Sequence, residues 1–229
     1  MIFVTGDTHI PIDIRKLNTK NFPEQTSLTK SDYLIICGDF GGVWYHQESP
    51  YYNEQNYWLS WLNSKNFTTL FVDGNHENFD LLEKYPEVEK FGGKVHQIES
   101  SIFHLERGQV FEIDGKKLFT MGGANSHDKE HRVQYVSWWP QEMPVYAEYE
   151  EALYNLNKND WKVDYIFTHC APTSIQQGIS NHYEMDSLTT FLEQIAAQTS
   201  FRKWYFGHYH MDFQYQNFRC LYQQIEKVE

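Results

Sequence analysis

Five short polar clusters contain the residues with chemistry to offer: Asp7-Thr8-His9, Gly38-Asp39, Gly74-Asn75-His76-Glu77, Thr168-His169 and Gly207-His208-Tyr209-His210. Their carboxylates, carboxamide and imidazoles are oxygen and nitrogen donors of the kind that suit manganese, iron or zinc. The absence of thiolates from the clusters disfavours a structural zinc site. Taken singly the clusters say little. The chain has 11 His, and Asp7, Asp39 or Asn75 alone would serve as a helix N-cap or turn residue. Capping and turn chemistry does not explain eight such residues in series.

The elements that must position them are readable from the flanking residues. Each cluster ends an apolar, β-branched or aromatic run: Ile2–Thr5, Tyr33–Cys37, Thr69–Val72, Tyr165–Phe167 and Trp204–Phe206. These runs read as strands with the candidate donors at their C-terminal ends. Asp7 and Asp39 are 32 residues apart, and Asp39 and Asn75 are 36 apart. Such gaps fit strand–helix–strand units, which gather strand C-terminal ends on one edge. Helices are expected over Asn53–Ser64, Ala147–Lys158 and Ser187–Ala197. Antiparallel strands are expected between Lys94 and Gly122, with Val110–Ile113, Asp114-Gly115 and Lys117–Thr120 forming a hairpin. A second hairpin joining Asp212–Gln216 to Arg219–Gln223 is expected to close the chain. The pattern predicts an α/β layered sandwich, sheets within and helices outside, built as one domain over residues 1–229 with no linker or internal repeat.

Composition narrows the class. The 229 residues are 41% hydrophobic and 17% aromatic, enough for a substantial core. Acidic residues outnumber basic ones 31 to 19, a net charge of −12. That balance argues against a general nucleic-acid binder, whereas bound metals would reverse the sign locally and admit a small phosphorylated substrate. Cys37, Cys170 and Cys220 are odd in number and widely spaced, as in a reduced intracellular protein. The opening MIFVTGDTHIPID has no signal-peptide pattern, and no run reaches the ~20 apolar residues needed to span a bilayer. The expectation is a soluble, cytoplasmic protein; oligomeric state is not readable.

In order, GDTH, CGDF, DGNHE, THC and GHYH resemble the signature blocks of the calcineurin-like metallophosphoesterase superfamily, over a stretch from Asp7 to His210. The resemblance implies a four-layer α-β-β-α sandwich with two mixed β-sheets and a metal site at the strand C-terminal ends. It implies two divalent metal ions, manganese first, with iron or zinc also suited. One metal takes Asp7, His9 and His210, the other takes Asn75, His169 and His208, and Asp39 bridges them. It further implies hydrolysis of a phosphomonoester or phosphodiester by metal-activated hydroxide attack on phosphorus. His76, near the phosphoryl group, either protonates the leaving oxygen or stabilises transition-state charge.

The surroundings of these blocks depart from one branch of that superfamily. Protein Ser/Thr phosphatases continue the Gly-Asp block with Val-Asp-Arg-Gly, whereas this chain reads Phe40-Gly41-Gly42-Val43-Trp44. The acidic partner of His76 and the phosphate-binding Arg are therefore absent from that block, and Asp73, Glu77 and Asp80 are the acceptors near enough in sequence to replace the former. Trp44 and Arg132 are candidate substrate contacts, a stacking wall and a phosphate-binding guanidinium. The plainer alternatives are that Trp138 and Trp139 pack a lid on the sandwich, and that Arg132 pairs with Asp128 or Glu130. His46, His96, His104, His127, His131 and His182 match no block. A nuclease or cyclic-nucleotide phosphodiesterase, and a non-catalytic metal-stabilised scaffold, are the competing functions.

Overall fold

The computed structural model describes residues 1–180 and 182–229. Its first sheet contains β1 (Ile2–Thr5), β2 (Tyr33–Cys37), β3 (Thr68–Val72), β4 (Glu87–Lys90), β5 (Gly93–Glu99), β6 (Ile102–Leu105) and β13 (Glu226–Val228), in the order β13-β1-β2-β3-β6-β5-β4. The second contains β7 (Val110–Ile113), β8 (Lys116–Met121), β9 (Tyr165–Thr168), β10 (Lys203–Phe206), β11 (Phe213–Tyr215) and β12 (Phe218–Cys220), in the order β11-β12-β10-β9-β8-β7. Both sheets are mixed: β1, β2, β3 and β6 run parallel, as do β8, β9, β10 and β12, with antiparallel strands at the edges.

Side-chain parity shows the layering. Ile35, Cys37, Leu70 and Val72 share a core with Phe111, Leu118, Phe167 and Tyr205 of the second sheet, so this layer lies between the sheets. Their neighbours Leu34, Ile36 and Phe71 point the other way, onto Leu59 and Leu62 of helix α1 (Tyr52–Asn63) and onto Ile14 and Leu17. On the second sheet, Phe119, Met121, Ile166, Trp204 and Phe206 turn outward. They meet Ala152 and Leu156 of α3 (Tyr146–Lys158), Ile175 of α4 (Thr173–Ile179) and Leu188, Leu192 and Ile195 of α5 (Ser187–Gln198). Short α2 (Phe79–Leu82) completes the first outer layer. Central strands buried on both faces are why their sequence reads as continuous apolar runs rather than alternating ones. The arrangement is the expected α-β-β-α sandwich.

Local chemistry explains the boundaries. In α5, Asp186 accepts a hydrogen bond from the Thr189 N–H at 2.7 Å, and Thr189 Oγ1 accepts from the Asp186 N–H at 3.1 Å, a reciprocal cap. Asp114 (φ 52°) and Gly115 (φ 69°) both sit in the left-handed region, as the tight β7–β8 turn requires. Two expectations need correction. The β1–β2 connection carries 3₁₀ turns at Ile14–Leu17 and Pro23–Ser27 in place of a helix. There Thr26 and Ser27 hydroxyls donate to the carbonyls of Pro23 and Glu24, competing with helical bonding. The β11–β12 hairpin also does not close the fold, because β13 returns to pair antiparallel with β1. No helix of the described residues is long and apolar enough to cross a membrane.

Candidate metal centre

The parallel strands β1, β2 and β3 deliver Asp7, Asp39 and Asn75 from their C-terminal ends, and β9 and β10 deliver His169 and the His208–His210 pair from the facing sheet. A direct bond joins the two sheets here: His169 Nδ1 lies 2.8 Å from the Cys37 carbonyl. Glycines set the approach. A side chain at Gly74 would collide with the Asp39 carboxylate and backbone nitrogen, and one at Gly207 would collide with the Asp7 carboxylate. Gly38 is the glycine that also turns the chain, at φ +87°. His9, Asp39, His208 and His210 adopt φ values of 35°, 45°, 68° and 50°, a costly conformation for non-glycine residues of the sort that concentrates at functional sites.

These constraints converge the side chains. Asp7, His9, Asp39 and His210 each offer one donor atom, all within 4.8 Å of one another. Asp39 Oδ2 lies 3.2 Å from His9 Nε2, while its Oδ1 lies 3.3 Å from His169 Nε2. The same His169 nitrogen is 3.1 Å from Asn75 Oδ1, and the His208 ring centroid is 4.9 Å from that of His169. Asp39 thus stands between a His9 side and a His169 side. The ring nitrogens facing away from the centre are engaged: Asp13 Oδ2 accepts from His9 Nδ1 at 2.9 Å, and the Cys37 carbonyl accepts from His169 Nδ1. Engaging Nδ1 leaves Nε2 to face the centre, the tautomer a metal-ligating imidazole needs.

The electrostatics fit a cation. Asp7 and Asp39 are both fully buried, and among the described residues Asp7 Oδ2 has no hydrogen-bond partner, with His210 Nε2 3.3 Å away. Burial, reinforced by the Asp39 charge, raises the Asp7 carboxyl. Burial opposes ionisation of Asp39 too, yet the His169 and His9 imidazoles hold it well below the usual carboxylate range. In return, and against their own burial, Asp39 and Asp7 lift His169 to about 10 and His9 to about 9. Two buried carboxylates need compensating charge; without metal the imidazoles supply it by taking protons, which metal ions would displace. The oxygen and nitrogen donor set fits Mn, Fe or Zn.

His76 borders this group, 5.5 Å from His9 between ring centroids, and its backbone N–H donates to Asp39 Oδ1 at 2.8 Å. None of its three sequence-nominated acceptors reaches its ring. Asp73 binds His104 and Arg107, Glu77 accepts from the N–H groups of Phe40 and Gly41, and Asp80 accepts from Trp139 Nε1. Instead Arg132 sets its two terminal nitrogens 3.1 Å from Nδ1 and 3.1 Å from Nε2 of His76. A neutral imidazole accepts at one nitrogen, so one of these is a hydrogen bond and the other a packing contact. Burial, with the positive charges of Arg132 and His9, lowers His76 from its ordinary value despite the opposing Asp39. Arg132 Nε is itself held by Asp128 at 2.7 Å. Trp44 packs edge-on to buried Trp139, with ring centroids 5.3 Å apart. His127, unassigned by sequence, is exposed with its ring 6.2 Å from that of His208.

Sequence reasoning missed the supports. Asp13 carried a signal, four residues after His9. Buried Lys16 had none; its Nζ donates to the carbonyls of Gly6, Asp7 and Tyr222. Asp73–Arg107 and Ser126–Glu142 are likewise visible only in three dimensions.

Comparison with known proteins agrees with this geometry. The family model of the calcineurin-like phosphoesterases matches residues 1–212. A lariat debranching enzyme of Schizosaccharomyces pombe is 25% identical over 209 residues, covering 80% of this chain and 44% of that enzyme. The chain therefore spans less than half the length of the curated relative it matches.

Proposed function

The chain belongs to the calcineurin-like phosphoesterase family, and we propose that residues 1–229 act as one dinuclear-metal-dependent hydrolase of a small phosphoester. The observation that carries this reading is the position of Asp39, with one carboxylate oxygen 3.2 Å from His9 and the other 3.3 Å from His169. In this reading Asp7, His9 and His210 would hold one metal, Asn75, His169 and His208 would hold the second, and Asp39 would serve both. Bound there, the pair would supply a hydroxide nucleophile at neutral pH by lowering the pKa of water from ~15.7 toward ~7, and would offset phosphoryl charge.

The protein's own groups complete the site. Burial and Arg132 lower His76 from its ordinary value, which favours a hydrogen bond from the imidazole to the phosphoryl group or leaving oxygen over a resident cation. Arg132 contributes the fixed charge, and its Asp128 tether aims the guanidinium at the His76 side of the centre. In this reading the segment after β8 supplies the guanidinium that the Gly-Asp block lacks. Trp44, packed on Trp139, serves the wall of this segment.

Similarity to a debranching enzyme favours a phosphodiester over a monoester as substrate. The test is hydrolysis of bis-p-nitrophenyl phosphate against p-nitrophenyl phosphate by metal-stripped protein resupplied with Mn. Diester turnover that requires Mn and disappears in Asp39→Asn supports the reading. Turnover of neither ester, or turnover in excess chelator, would overturn it.

A further inference from the structure

Asn75 differs from the other proposed ligands in having a side chain with two unlike ends. Its oxygen can coordinate a cation and its NH₂ group cannot, so a carboxamide ligand needs something to keep it from turning over. The structure contains such a device on the segment after β8. Asn75 Nδ2 donates to Ser126 Oγ at 3.1 Å, and Ser126 Oγ donates to Glu142 Oε2 at 2.5 Å. The other carboxylate oxygen, Glu142 Oε1, accepts from the Ser126 backbone N–H at 2.9 Å. Glu142 is completely buried, Ser126 and Asn75 nearly so.

The direction of this relay is set by its far end. A carboxylate has no proton to give, so Glu142 accepts twice from Ser126 and forces its hydroxyl proton toward itself. Ser126 Oγ is then left with lone pairs toward Asn75, which must answer with its NH₂ group. Asn75 Oδ1 is thereby turned to His169 and the centre, 3.1 Å from Nε2. The base of the relay is fixed as well: Arg107, itself bonded to Asp73, donates to the carbonyls of Gln141 and Glu142.

We propose that Glu142 and Ser126 are positioning residues that fix the carboxamide of Asn75 oxygen-first, and so determine affinity at the His169 side of the centre. This rests on the assignment of Asn75 as a ligand made above. The relay also gives a role to a completely buried carboxylate whose two oxygens both accept from Ser126, with the Lys129 ammonium 3.5 Å from Oε1 as its counter-charge.

The informative variant is Glu142→Gln, which keeps size and shape. An amide in that place can donate to Ser126 Oγ, turning the hydroxyl proton toward Asn75 and reversing the carboxamide. Mn binding is measured by calorimetry on metal-stripped protein, with thermal unfolding of the metal-free form as a fold control. Glu142→Gln and Ser126→Ala are expected to weaken one of two Mn sites by about 10-fold to 100-fold, the scale for outer partners of metal ligands, and to leave the other unchanged. In an Asn75→Asp background, where the two ends become alike, adding Glu142→Gln is expected to change affinity less than threefold. The proposal is overturned if Asn75→Ala abolishes one Mn site while Glu142→Gln and Ser126→Ala bind both normally, or if Glu142→Gln weakens Mn equally with Asn75→Asp present. If Asn75→Ala binds both ions like the wild type, the ligand assignment fails and the relay with it.

Discussion

Arg107 is a buried charge that ties Asp73, Glu148 and the Gln141 carbonyl together, and Arg107→Met measures what those contacts contribute. Its guanidinium is 5% exposed and the Asp73 carboxylate 1%. Nε and Nη2 donate to Asp73 Oδ2 at 2.9 and 2.5 Å, Nη1 to Glu148 at 3.2 Å, and Nη2 to the Gln141 carbonyl at 2.8 Å. Methionine fills part of the volume but leaves Asp73 with His104 Nε2, at 3.1 Å, as its remaining side-chain donor. Removing one member of a buried pair costs about 3–5 kcal/mol, because the surviving charge stays desolvated. Burial opposes ionisation of Asp73, but Arg107 and His104 hold its carboxyl well below the usual range. Its contribution is therefore present above the unfolded value of 3.8 and is lost only as pH falls through the depressed folded value. Without Arg107 the folded carboxyl rises, so the deficit should be largest at pH 7 and shrink toward pH 4. Urea unfolding at both pH values is the assay. A loss under ~1 kcal/mol at pH 7, or an equal loss at both, would refute the reasoning; Asp73→Asn in the same background should recover part of it.

Three further outcomes follow from the geometry. Arg132→Ala should lower kcat by roughly 10²–10³, the scale for losing one transition-state donor, and move the His76 limb of the pH–rate profile upward, since a charge that lowers His76 is gone; an unmoved limb would separate Arg132 from His76. Gly74→Ala forces a methyl group into Asp39, so it should cost about 1–3 kcal/mol of stability and reduce Mn stoichiometry below the wild-type value, read by metal analysis after gel filtration. Burial, with the neighbouring Glu87, raises Glu106 to about 7, so its stability contribution is complete below 4.5 and lost as pH rises through 7. Because the group is only partly buried and solvent screens part of the effect, Glu106→Gln should gain about 1 kcal/mol at pH 8 and nothing at pH 4 by urea unfolding; equal stability at pH 8 would show that the carboxyl is unperturbed.

The parts of the fold legible in sequence are those governed by local rules. Strands β1, β2 and β3 are buried on both faces, so Ile-Phe-Val-Thr, Tyr-Leu-Ile-Ile-Cys and Thr-Thr-Leu-Phe-Val announce themselves, and Asp114-Gly115 specifies its turn. Strand β4 did not, because an exposed edge written Glu-Val-Glu-Lys carries charge where a central strand carries apolar residues. Strand β13 is three residues long and is a strand only because β1 offers a free edge. At the site, residue type and order marked Asp7, His9, Asp39, Asn75, His76, His169, His208 and His210, since strand ends must collect on one edge. The supporting partners outside those clusters come from distant chain segments, 51 positions on from Asn75 to Ser126 and 56 from His76 to Arg132, and no local pattern encodes Ser126–Glu142 or Arg132–His76.

The central claim is that Asp39 joins two metals, and electron paramagnetic resonance of the Mn-loaded protein addresses it directly. Metals bridged at about 3.5–4 Å are exchange-coupled, so two equivalents of Mn should yield a coupled multiline spectrum with half the hyperfine spacing of an isolated ion. Asp39→Asn should return the isolated-ion pattern or lose bound metal. An isolated-ion spectrum from wild-type protein carrying two Mn per chain would contradict the account.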